Sequence, residues 1–187
     1  MYFYGPADSP SGMNRAPKIR EADREPTAWV FQNAAYDRSS EMPFSYEAGN
    51  PGASHLDPAR VQDSGDDTHR VDAVILDELV YNPDFGLDPQ DVHMLKISTE
   101  MSDVRVLRGA RHLLAQGKIP FVHLVFNRDH IRTASCDPRS VLFTLRKFGY
   151  KLYESNVYYL KDEDIESYLE KATGSMELLF VGPDTWF

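Results

Sequence analysis

The chain has 187 residues, 42% of them apolar and 26% charged, which suffices for one domain with a sizeable core and is short for two. With 20 Lys and Arg against 29 Asp and Glu the net charge is -9, a field that repels phosphate backbones and excludes nucleic acid as the expected partner. Cys136 is the only cysteine, so no intrachain disulfide and no Cys-based zinc site is available, and the six histidines show no metal-ligand spacing. No apolar run approaches the roughly 20 residues that cross a bilayer, and the first ten residues lack a signal-peptide pattern; the expectation is a cytoplasmic protein without a membrane segment.

Residues 1–26 carry four prolines and no periodicity, and read as a disordered or loosely packed lead-in to a domain over 27–187. Trp29-Val30-Phe31 is a short strand before Asn33. Residues 37–70, rich in Ser, Asp, Gly and Pro, predict a long loop with one short hairpin. From Val71 the pattern becomes regular. Val71–Leu76 reads as a strand ending at Asp77, Val92–Ile97 as a second and Phe121–Phe126 as a third.

An amphipathic helix is expected from Ser102, as N-cap, to Gln116, with Gly117 as its stop. Its arginines Arg105, Arg108 and Arg111 repeat every three residues and read as a solvated face. A second helix starts at Asp137-Pro138, buries Val141, Leu142, Leu145 and Phe148, and stops at Gly149. A third follows Asp162. Lys151–Leu160 and Met176–Val181 predict two closing strands that pair antiparallel. Strands alternating with helices imply an α/β fold with a mostly parallel sheet and an antiparallel C-terminal strand pair.

Several segments, in order, carry a family pattern: Asn33-Ala34-Ala35, Leu76-Asp77-Glu78-Leu79, Leu95-Lys96-Ile97 followed by Glu100, Val106-Leu107 with Gly109-Ala110, and Phe148-Gly149-Tyr150. Over roughly Val30–Tyr153 the chain thereby resembles the FkbM family of S-adenosylmethionine-dependent methyltransferases. The resemblance implies a Rossmann-like class I methyltransferase fold and methyl transfer from S-adenosylmethionine to an oxygen acceptor, a small molecule or a glycan. It implies that Glu100 and Asp77 are the carboxylates orienting the acceptor, and that Asn33 and Ser98 lie at cofactor-binding positions. No metal ligand is implied.

Three positions depart from the family's pattern. The acid expected after Leu-Lys-Ile is Ser98, the Gly expected after the Glu is Met101, and an acid expected near the end of the next strand is Val125. A hydroxyl hydrogen-bonds but takes no proton at neutral pH, and a valine does neither. No Gly-x-Gly turn follows an apolar strand, so the domain is expected to be incomplete, with its cofactor-binding half missing and its affinity for S-adenosylmethionine low. The alternative is a non-catalytic relic, a binding or assembly module whose exposed sheet edge is covered in an oligomer. Ser98, His123 and Asp103 do not suggest a hydrolase triad, because no Gly-x-Ser-x-Gly elbow exposes the serine.

Overall fold

A period of two in side-chain burial runs through residues 121–127. Val122, Leu124 and Phe126 are fully buried, while Phe121, His123 and Val125 on the other face are half-buried. That strand lies inside the larger of two main sheets in the computed structural model, which describes residues 2–3, 29–50, 54–57, 69–83, 89–99, 101–154, 158–183 and 185.

At the start, β1 (Tyr2–Phe3) pairs antiparallel with β2 (Trp29–Val30), so the predicted lead-in contributes a short ladder; the rest of it lies outside the described residues. Next come β3 (Asn33–Tyr36), β4 (Ser40–Ser45), β5 (His55–Leu56) and β6 (Arg70–Ile75), a four-stranded sheet in the order β3-β6-β4-β5. Helix α1 (Leu76–Tyr81) continues directly from β6. A five-stranded sheet follows, entered by β7 (Met94–Ile97), which α2 (Asp103–Gly109) and α3 (Arg111–Ala115) connect to its parallel neighbour β8 (Phe121–Asn127). The remaining elements are α4 (Arg128–Thr133), α5 (Pro138–Lys147), β9 (Lys151–Glu154), β10 (Tyr158–Tyr159), α6 (Ile165–Lys171) and β11 (Ser175–Val181), giving the order β10-β9-β11-β8-β7.

The fold class is α/β, but the sheets are not mostly parallel. Each is mixed and holds a single parallel pair, β3 with β6 and β7 with β8. A parallel pair needs a crossover, supplied for β7 and β8 by α2–α3, and every neighbouring pair in these two sheets other than those two runs antiparallel. The expected antiparallel closing pair is present, β11 against both β9 and β8.

Other expectations need correction. The loop predicted over 37–70 contains β4 and β5, and the hairpin foreseen there belongs to a sheet, with Met42 and Leu56 buried on its inner side. Asn33 opens a strand instead of closing one. Asp77 sits in α1, not at a strand tip.

The helix expected from Ser102 to Gln116 breaks at Ala110 (φ -109°, ψ 15°). A fresh helix start at α3 is stabilised there because Asp77 Oδ2 and Oδ1 accept from the backbone N–H groups of His112 (2.9 Å) and Leu113 (3.0 Å). Ser102 makes no side-chain cap. Asp137 does, accepting from Arg139 N at 3.0 Å, and Pro138 stands at the first turn as expected. Helix α5 ends at Gly149, whose φ of 86° costs a residue without Cβ little.

The main core lies between one face of the five-stranded sheet and the helices. Ile97, Val122, Leu124, Phe126, Leu152, Leu178 and Phe180 meet Leu107, Leu114, Ile131, Val141, Leu142, Leu145 and Ile165. A second, smaller core is formed by Tyr36, Met42, Leu56 and Ala73 of the four-stranded sheet. Gly109 joins the two units: a Cβ there would stand 2.1 Å from the backbone oxygen of Tyr36, so α2 lies backbone to backbone on the end of β3.

Candidate functional site

Strands β7 and β8 run parallel, so the residues after them leave at the same edge, where α/β proteins place their chemistry. Ser98 is exposed there. Glu100 lies outside the described residues. The turn into α2 is built by Asp103, wholly buried, whose Oδ1 accepts from Thr99 Oγ1 at 2.7 Å and Thr99 N at 3.4 Å. Thr99 and Asp103 thus hold the turn that leads into α2, where the sequence had pointed to a Ser102 cap.

After β8, Asn127 caps α4: its Oδ1 accepts from Asp129 N and His130 N, both at 3.1 Å, and its Nδ2 donates to Ser175 Oγ at 3.2 Å. Arg128 donates to the carbonyls of Leu169 (2.9 Å) and Glu170 (3.3 Å) at the end of α6. Asn127 and Arg128 therefore tie β8 and α4 to β11 and α6. Lys96 is exposed on β7, the edge strand, and half-buried His123 lies 3.6 Å from Glu177.

The sequence-predicted site residues do not gather. Asn33 begins β3 in the four-stranded sheet, while Ser98 follows the far end of β7 in the other. Asn33 Nδ2 donates to the carbonyl of Asp72 at 3.3 Å, and its Oδ1 is buried with no hydrogen-bond partner among the described residues. Asp77, 7% exposed, spends both carboxylate oxygens on the start of α3 and also faces His112 Nδ1 at 3.1 Å. A carboxylate so engaged positions a helix.

One cluster was missed in the sequence. Tyr36 ends β3, 3% exposed, and Asp37 follows it. Asp37 Oδ2 accepts from Arg105 Nη1 at 2.9 Å and lies 4.0 Å from Arg108 Nη1. The guanidinium carbons of Arg38 and Arg105 sit 5.7 and 5.8 Å from the centre of the Tyr36 ring. Burial pushes the Tyr36 phenol above its ordinary value, with Arg105 acting in the opposite sense. The hydrogen bond that Arg105 donates to Asp37 holds the guanidinium further into its charged form. The three-residue arginine repeat was the available signal. It read as a solvated face because nothing in sequence placed Asp37 opposite it.

A carboxylate at the end of a strand is what would bind ribose hydroxyls, and Asp37 is committed to guanidinium groups instead. The two expected contacts, Asn33 and Ser98, belong to separate sheets, and Asp37, Asp77 and Asp103 all have structural partners. Among the described residues no three or more His, Cys, Asp or Glu are grouped to hold a metal ion, and no helix is long and apolar enough to cross a membrane. No family model, no curated protein and no solved structure matches the chain.

Proposed function

We propose that the chain is a methyltransferase-like module of the FkbM type, in which methyl transfer from S-adenosylmethionine to an oxygen acceptor is the reaction the resemblance implies. The observation that supports this is placement. Leu95-Lys96-Ile97, Val106-Leu107-Gly109-Ala110 and Gly149-Tyr150 fall on one structural unit, β7 with its crossover helices and the stop of α5, closed by an antiparallel strand. In this reading Ser98 presents its hydroxyl at the common edge of β7 and β8, where an acceptor would be oriented.

A second reading, a non-catalytic relic serving as a binding or assembly module, is favoured by the commitment of Asp77 and by the outer face of the five-stranded sheet. Along one cross-strand row that face carries Lys96, His123, Leu179, Tyr153 and Tyr159, and Met94 beside it is 55% exposed. The opposite face of the same strands is buried. The commitment of Asp37, Asp77 and Asp103 to structural partners favours this second reading.

Isothermal titration of the chain with S-adenosylmethionine separates the two. The expected result is no saturable heat at micromolar concentration, together with a dimer or larger species in light scattering. Micromolar binding, or a strictly monomeric chain that melts cooperatively, would reject the assembly reading.

A further inference from the structure

We infer that the carboxyl end of β3 and the adjoining side of α2 form a binding site for a small dianion of the phosphate-monoester type, held by Arg38, Arg105 and Arg108. This does not rest on the methyltransferase reading. Arg105 and Arg108 converge on one carboxylate, Asp37, whose side chain is 18% exposed, and Arg105 and Arg38 on the one buried ring of Tyr36 beside it. Glu78 of α1 approaches the same turn through Ser39 Oγ at 2.9 Å and still leaves the cations in excess. In a chain of net charge -9 such a local surplus of positive charge runs against the global field.

The site is rigidly built. Absence of a side chain at Gly109 lets α2 rest on the Tyr36 carbonyl, which brings the residues one and four positions earlier in the helix, Arg108 and Arg105, to Asp37. Both stay available to solvent, with side chains 56% and 40% exposed, and Arg38 is exposed as well. Tyr36 supplies an apolar wall that weakens screening beneath them. Planar guanidinium forks match phosphate oxygens two at a time, and a dianion neutralises the surplus better than a single carboxylate does.

The test is isothermal titration of the full chain with inorganic phosphate at constant ionic strength, with malonate and chloride as competing probes. Saturable phosphate binding is expected. Arg38→Gln with Arg108→Gln together should weaken it roughly tenfold or more, and both side chains are exposed enough for the variant to fold. Asp37→Asn, which removes the internal competitor, should tighten it. No saturable heat, equal affinity for malonate, an unchanged affinity in the double arginine variant, or weaker binding in Asp37→Asn would each overturn the assignment.

Discussion

The two sheets differ in what holds them. The five-stranded sheet buries a continuous face against the helices, and its β8·β11 ladder runs seven residue pairs, Ser175–Val181 against Asn127–Phe121. The four-stranded sheet has a core of Tyr36, Met42, Leu56 and Ala73. It is held by joints to the larger unit: β6 running into α1, whose Leu76, Leu79 and Val80 sit in the main core, Gly109 on Tyr36, and Arg105 on Asp37.

The largest expected effect lies in the main core. Phe126→Ala should cost about 3–5 kcal/mol and lower the single global transition, measured by urea unfolding. Met42→Ala should act locally, speeding amide hydrogen exchange in β3, β4 and β6 while β8 and β11 keep their protection. Equal acceleration in both sheets would break the distinction.

Next in size is the joint. Gly109→Ala places a methyl group against a backbone oxygen that no rotamer change can move, and overpacking of this kind costs roughly 1–3 kcal/mol or more. The expected outcome is loss of protection in β3 and β6 and release of Arg105 and Arg108 from Asp37, read by amide exchange and by guanidinium NMR shifts. A fully protected β3 in this variant would show that the joint does not carry the small sheet.

The same contrast explains what was legible in the sequence. Elements of the larger unit announce themselves by local chemistry: Asp137-Pro138 starts α5, Gly149 stops it, and β8 alternates buried and half-buried residues. The smaller sheet is hidden because β4, Ser40–Ser45, contains Pro43 and two serines and buries Met42 alone of its six residues. Its pairing with β6 is fixed at a distance, through a register that no local window contains. The site was less legible still. Asp77 looks like a strand-tip acid because its role depends on α3, some 35 residues away, and the arginine repeat needs Asp37, 68 residues from Arg105, before it means anything. Propensity and period report nearest neighbours; charge pairing across the two units does not leave a local trace.

The smallest effect concerns the two buried tyrosines, one in each region. Tyr150, 1% exposed and donating to the carbonyl of Ile119 at 2.9 Å, has its phenol pushed up to about 12 by burial. Tyr36 is raised too, but Arg105 and Arg38 oppose the shift. A folded-state value above the ordinary 10 means that the unfolded chain loses its proton first as pH rises. The stability is therefore complete below about pH 10 and is lost progressively toward pH 12. At pH 11 the loss from Tyr150 is on the order of 1 kcal/mol. Urea unfolding at pH 8, 10 and 11 should show this decline in the wild type and a flatter profile in Tyr150→Phe. Tyr36→Phe should flatten it less, because the arginines already favour phenolate there. If both variants decline as steeply as the wild type, ionisation of these tyrosines is not what alkali acts on, and the larger core is no more alkali-sensitive than the small one.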